Sequence, residues 1–334
     1  MTSFFRTARS VATALVTIFG LGTATLSSSA CAQSDPWPVR PIRLMNGFLP
    51  GGSSDIVARL MAQHLSERLG QPVVVETRAG AGGSIATDYV VKQPGDGYTW
   101  GLLVSGHATQ AVMMRKLPYD PVGDLAMISS ITTYPMMIAT RPDASYKTLG
   151  DVIARAKAEP GKVSYSSAGI GTGHHLLGEW INAEGGVDIV HVPHKSISDA
   201  LNGVQGGHTQ MILSVAAGLV PIVQGGRMRM LGVTGTTGLP ALPQVQTMQS
   251  QGIGYLEVVR GWFGLAAPLK TPQHVITRLN AEINAIAKSP DFIAELAKTG
   301  QVPSGGTPEE FTAMMKAELE TWARVVKEAR VELQ

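Results

Sequence analysis

The chain has 334 residues, 27 Lys and Arg against 25 Asp and Glu, 44% hydrophobic residues and a single cysteine. The near-neutral balance, with no basic patch interleaved with aromatics, excludes a nucleic-acid partner, and one cysteine excludes a disulfide framework. The length exceeds what one hydrophobic core usually spans and points to two domains.

Residues 1–32 read as a secretory signal peptide. Arg6 and Arg9 precede an apolar stretch from Val11 to Leu26 that has no acid, and Ala30-Cys31-Ala32 supplies the small residues of a cleavage site, with the cut expected after Ala32. The stretch is too short and too rich in Thr and Gly for a membrane span. Lipidation of Cys31 calls for a large aliphatic residue three positions earlier, where Ser28 stands. Cleavage removes the cysteine, so the exported chain has no thiolate metal site and no cysteine nucleophile.

Beyond the leader, short Val/Ile/Leu/Met-rich runs alternate with amphipathic segments, the pattern of an α/β protein with parallel sheets covered by helices on both faces. A strand at Ile42-Arg43-Leu44-Met45 runs into the turn Pro50-Gly51-Gly52-Ser53-Ser54-Asp55. The helix that follows has Ile56, Leu60, Leu65 and Leu69 as its expected apolar face and closes at Gly70. The pattern recurs where Val73-Val74-Val75 leads through Glu76-Thr77-Arg78 into Gly80-Ala81-Gly82-Gly83-Ser84 and another helix. Further strands are predicted near Leu102, Met137, Val163, Ile189, Met211, Leu231 and Leu265. Thr148 and Asp151 make a capping box. Thr271-Pro272, Ser289-Pro290 and Thr307-Pro308 each set a capping hydroxyl before a proline at the first helical position. The last segment, Pro308 to about Glu328, reads as a surface helix packed through Phe311, Met315, Leu319 and Trp322.

Both early turns bring backbone N–H groups together where a helix N-terminus carries partial positive charge, a site for a small anion. A third turn, Ser166-Ser167-Ala168-Gly169-Ile170-Gly171-Thr172-Gly173-His174-His175, follows the strand at Val163. Its glycines superficially resemble a dinucleotide-binding turn, but the third comes one position early and the next strand ends His191-Val192 without the required acid. His174, His175, His191 and His194 lie close in sequence, yet no HExxH is present and Pro193 falls between the latter two, so no metal site is read. There is no G-x-S-x-G elbow and no nucleophile with a base at recognisable spacing, so the reading is not an enzyme, and no cofactor is implied.

Ordered segments along the chain carry a resemblance: Pro41-Ile42-Arg43, Pro50-Gly51-Gly52 with Asp55-Ile56-Val57-Ala58-Arg59, Leu69-Gly70-Gln71-Pro72-Val73-Val74-Val75-Glu76, and Gly80-Ala81-Gly82-Gly83. They continue through Asp96-Gly97-Tyr98, Leu117-Pro118-Tyr119-Asp120-Pro121, Pro160-Gly161-Lys162, His191-Val192-Pro193, Trp262-Phe263-Gly264 and Arg278-Leu279-Asn280-Ala281-Glu282. With these the sequence resembles the Bug family, the periplasmic solute-binding proteins of tripartite tricarboxylate transporters. The resemblance implies a type II-like periplasmic binding fold: two α/β domains joined by crossings near Ser130–Tyr134 and Val258–Phe263, with the ligand cleft between them. The first domain is then 36–131 and 260–334, and 132–259 is the inserted second domain. Also implied are a periplasmic location, the membrane components of such a transporter as partners, a monomeric state and a small carboxylate ligand. A periplasmic sensor feeding a signalling receptor uses the same fold and cleft and is the alternative.

In the family the two turns of the first domain hold a ligand carboxylate, partly through ordered water. By position this assigns Phe48, Pro50, Gly51, Gly52, Ser53 and Asp55 to one wall and Ala79, Gly80, Ala81 and Gly82 to the other. Asp55, an acid at a helix start, reads first as stabilising that terminus. Leu49 departs from the family pattern by adding an apolar side chain at the mouth. Across the cleft the expected contacts are Ser166, Ser167, Gly169, Thr172, His175, His194 and Ser214, with Ser105, His107, Met136 and Met137 at the border. For His175, helix-start packing and ligand contact both stand. Ser214 replaces an Asp common in the family, which argues against an amino-acid ligand. Arg260 either meets a second carboxylate or is solvated or internally paired. The expected ligand is a mono- or dicarboxylate whose body is apolar or aromatic.

Overall fold

The computed structural model describes residues 36–236, 238–257 and 259–333; the leader expected at 1–32 lies outside them. Every predicted strand centre falls in a strand: β1 (Ile42–Asn46), β2 (Val73–Thr77), β3 (Thr99–Val104), β4 (Leu125–Thr140), β5 (Val163–Ser167), β6 (Ile189–Pro193), β7 (Met211–Val215), β8 (Arg229–Val233) and β9 (Arg260–Pro268), to which the short β10 (Val302–Pro303) is added. The helices are α1 (Ser53–Leu69), α2 (Ser84–Val91), α3 (Gly106–Met113), α4 (Leu149–Ala158), α5 (Gly173–Gly185), α6 (Ile197–Gln205), α7 (Ala216–Gln224), α8 (Gln273–Ile286), α9 (Pro290–Ala297) and α10 (Pro308–Glu328).

The sheet order is β2-β1-β3-β9-β4-β7-β5-β6, with β10 and β8 on the other edge of β4. β1, β2 and β3 run parallel, as do β5, β6 and β7. The centre, which joins the two parallel sets, is antiparallel: β9 opposes both β3 and β4, and β4 opposes β7 and β8. The cause is connectivity, because the chain leaves along β4 and returns along its neighbour β9, and two such strands run in opposite directions. β4 takes part in both halves. From Leu125 to Pro135 it pairs with β9, and from Met136 to Thr140 with β7, while β8 borders it from Met137 onward.

Several local expectations need correction. α1 buries Val57, Ala58, Met61, Leu65 and Leu69, whereas Ile56 is exposed; small Ala residues let the backbone approach the sheet on a face rotated from the one the larger side chains suggest. Thr307 caps α10 in a box with Glu310, and Thr148 caps α4 with Asp151. Thr271 and Ser289 do not cap: α8 starts only at Gln273, and Ser289 Oγ instead donates to the Ile286 carbonyl of the preceding helix.

α10 packs on α3, α5 and β4, with Trp322 edge-on to Trp180 at 5.7 Å. It buries Phe311, Met315, Trp322 and Val325, while Leu319 is only partly covered. Glu318 completes that helical stripe, and its Oε2 is buried without a hydrogen-bond partner. Burial pushes its carboxyl up to about 8, against the opposing pull of the Trp262 indole N–H and the Arg260 charge. The folded chain therefore holds this proton where the unfolded chain, near 4.5, has lost it. This contribution to stability is fully present below the unfolded value and is lost as pH rises through about 8. Glu318→Gln is expected to flatten the decline of thermal stability between pH 5 and 8, a decline of at most about 1.4 kcal/mol per pH unit for one group, as followed by denaturation midpoints across that range.

Candidate functional site

Because β9 opposes β3 and β4 opposes β9, β4 runs in the direction of β1–β3; because β7 opposes β4, β5–β7 run the other way. The carboxyl ends of β1–β3 thus point along β4 toward the carboxyl ends of β5–β7. Ligands of α/β sheets bind beyond such ends, and all three glycine turns emerge there.

The first two turns form one unit. A Cβ on Gly47 would sit 2.6 Å from the Gly83 Cα, and one on Gly83 would meet the Phe48 ring at 3.2 Å, so the two backbones touch and Phe48 lies across the contact. From Gly80 to Gly83 four consecutive residues have positive φ, including Ala81 at 44°, a conformation that glycine alone adopts without cost. A Cβ on Gly82 would strike the Gln110 side chain, so α3 backs this turn. α1 and α2 begin at Gly52 and Gly83 without side-chain caps, and their first N–H groups have no intrahelical partner. Asp55 Oδ2 accepts from the Gly51 N–H at 3.0 Å and from Arg59 Nε at 2.9 Å. The Arg59 hydrogen bond, aided by Gly51, holds this carboxyl below its ordinary range. It secures the turn and is internally neutralised. Pro50, Gly51 and Leu49 are exposed at the rim, Leu49 at 72%; Ser53 and Ala79 flank the turns.

Around the unit, Ser105 opens α3 and its N–H donates to the Trp262 carbonyl. His107 stacks on Tyr119 and its Nε2 bonds the Pro121 carbonyl; burial holds the ring below its usual range and hence neutral. Met136 and Met137 are core residues.

Around the third turn, hydroxyls and imidazoles form a hydrogen-bonded network. Ser166 Oγ shares hydrogen bonds with His194 Nε2 and Thr209 Oγ1, and Ser167 Oγ with His191 Nε2 at 2.6 Å. Thr172 caps α5, accepting from the His175 N–H and donating to the Gly169 carbonyl. The Gly171 N–H donates to His175 Nδ1, and His191 is sandwiched between the rings of His175 and Tyr165, at 4.3 and 4.7 Å. Burial, then the neighbouring His175 and His194, pushes His191 down to about 4; burial alone does the same for His174 and lowers His175. Among the described residues no cluster of His, Cys, Asp or Glu is placed to hold a metal. Ser214 is wholly buried at the end of β7 with no partner for its hydroxyl. Arg260 opens β9 opposite Pro135 of β4 and lines a hollow with Glu257, Thr234, Pro240 and Val302.

The sequence reading missed three supports of this arrangement: Gly47, Gln110 and Thr209. Gly47 alone left a signal, a glycine next to an aromatic before the turn; the other two act through tertiary contact.

Gly47→Ala is expected to destabilise the chain by about 1–3 kcal/mol in urea denaturation, since the new methyl meets backbone that cannot turn aside. The depressed histidines act on the acid side. The unfolded chain binds protons that the folded chain refuses between about 4 and 6.5, so stability falls as pH drops through that window. His191→Gln should reduce that acid slope in thermal melts.

The model of the tripartite tricarboxylate transporter family receptor, TctC, matches residues 57–331. BugT of Bordetella pertussis is 34% identical over 325 residues, which cover 96% of this chain and 99% of that protein. Among solved structures, Rpa4515 of R. palustris with adipate is 31% identical with a TM-score of 0.80, over 90% of this chain and all of that one (100%). MatC of Rhodopseudomonas palustris with bound malate is 26% identical with a TM-score of 0.75, over 86% and 99%. BugD, solved as a periplasmic binding protein, superposes over 89% of this chain with a TM-score of 0.76, in keeping with a two-domain α/β fold. The chain therefore belongs to the TctC family, the Bug-type receptors of tripartite tricarboxylate transporters, which are solute-binding proteins and not enzymes.

Proposed function

We propose that this protein is a periplasmic receptor that takes a small carboxylate into the cleft between its halves and delivers it to the membrane components of a tripartite tricarboxylate-type transporter. The observation that carries the reading is the pair of touching glycine turns, each opening a helix with no side-chain cap, which makes a backbone cradle without formal charge of its own. Residues 48–53 and 79–82 are the carboxylate-holding walls, with Asp55 fixing the first of them. Ser105 and the Ser166, Ser167, Gly169, Thr172, His175, His194 and Ser214 wall enclose the rest of the ligand. Charge-assisted hydrogen bonds of about 1.5–3 kcal/mol each, three or four in number, give micromolar affinity after the cost of association.

The halves move as domains of residues 36–131 with 260–334, and 132–259, and the protein acts as a monomer. The leader at 1–32, cleaved after Ala32, delivers it to the periplasm. Phe48 and the exposed Leu49 favour a ligand with an apolar body. Adipate and malate, found in two of the similar structures, are both small dicarboxylates and support a ligand of this class.

In a thermal-shift panel of aliphatic dicarboxylates, aromatic acids, amino acids and sugars, members of the first two groups are expected to raise the melting temperature. A response confined to amino acids and sugars overturns the reading.

A further inference from the structure

Two guanidiniums and one phenol ring meet beside the second glycine turn. Arg78 follows the last residue of β2 and leads into the turn, and Tyr89 lies in α2, the helix into which the turn runs. The guanidinium carbon of Arg78 is 3.7 Å from the centroid of the Tyr89 ring, well within cation–π range. The side chains on either side of the turn thus close on each other. Both are anchored to β1. The Arg78 N–H donates to the Asn46 carbonyl at 2.9 Å, and Tyr89 Oη accepts from Arg43 Nη1 at 2.8 Å. Arg43 is itself fixed, because its Nη2 donates to Thr99 Oγ1 of β3 at 2.9 Å and to Gln93 Oε1 at 3.2 Å.

The turn between them needs holding. Ala81 is a non-glycine residue with φ at 44°, and Gly80, at φ 139° and ψ 160°, occupies a region open essentially to glycine alone. Such backbone persists only where its surroundings over-determine it. The turn's own hydrogen bonds are short-range: the Gly83 N–H donates to the Gly80 carbonyl, and Ser84 Oγ to the Ala81 carbonyl, both at 2.9 Å. Neither ties β2 to the body of α2. The contact of Arg78 with Tyr89 does so. An arginine beside an anion cradle invites the role of counter-ion, yet the flat face of this one is committed to a ring of the protein.

We propose that Arg78 and Tyr89 are positioning residues: their stack clamps the two ends of the second turn, and so fixes its backbone N–H groups for a carboxylate, without either side chain touching the ligand. This deepens the carboxylate-receptor reading above and rests on it. The guanidinium then serves through its stacking on the ring, so that removing the ring and leaving the charge harms the cradle as much as removing the charge.

The test joins amide hydrogen exchange to isothermal titration with adipate, on the full chain without its leader, for the unaltered protein, Arg78→Ala, Tyr89→Leu, the double variant and Tyr89→Phe. In the ligand-free protein, exchange across residues 79–84 is expected to quicken at least fivefold in Arg78→Ala and in Tyr89→Leu. Unchanged exchange in β1 and β3 reports that the variants are folded. Adipate affinity is expected to fall at least tenfold in each single variant, and the double variant should lie within about twofold of the weaker single, because the two residues act as one unit. Tyr89→Phe keeps the ring and should bind within threefold of the unaltered protein. Slow exchange and full affinity in Tyr89→Leu, with affinity lost in Arg78→Ala, overturn the clamp and make Arg78 a counter-ion of the ligand. Losses that multiply in the double variant overturn it too. Failure of the unaltered protein to bind adipate counts against the receptor reading, and the exchange rates then decide the clamp: quickened in both single variants they uphold it, and unchanged they overturn it.

Discussion

The arrangement depends on one strand belonging to two sheets. β4 keeps its backbone hydrogen bonds from Leu125 to Thr140, first with β9 and then with β7 and β8. Its direction fixes which ends of the other strands face each other, and hence the side from which the three glycine turns emerge. Had the chain entered the inserted half through a loop, the two sets of strand ends would have no fixed relation. The bulges near Met127 and Ser130 fall within the shared strand, where extra residues increase local twist and bend it.

How much of this was legible in the sequence depends on the range of the forces involved. Apolar runs of four or five residues marked the strands, because a buried strand must be apolar whatever it pairs with. The box at Thr148 and the capping hydroxyl of Thr307 were legible because their partners lie within one turn. The exposed face at Ile56 was not, since which side of α1 meets the sheet is settled by how closely Ala58 and Ala62 allow it to approach. Thr271 looked like a cap, and only the path of the chain after β9 delays the helix past it. The glycine turns themselves were plain in the sequence. Their mutual contact was not, because Gly47 and Gly83 are brought together by the pairing of β1 with β2.

The first two turns and the surroundings of the third are made of different materials. One is backbone, pinned by a carboxylate that is itself held by Arg59 and the Gly51 N–H. The other is a set of imidazoles and hydroxyls whose hydrogen bonds are mostly spent on one another. Burial holds His175 and His191 below the usual imidazole range, and this side presents shape and local dipoles. The orphaned Ser214 hydroxyl and the buried Glu318 carboxyl are among the places where this pairing is broken, and in both a polar group occupies a position that packing alone would give to a hydrocarbon.

The pairing of Asp55 with Arg59 has one more consequence. Because that ion pair cancels within α1, the polarity of the two turns comes from peptide dipoles fixed by the fold. Peptide groups do not titrate, and contacts at hydrogen-bond distance are scarcely weakened by dissolved ions, whose screening acts over a Debye length of about 10 Å at 0.1 M. Turns built this way keep their polarity in dilute or brackish surroundings and in mildly acid or alkaline ones.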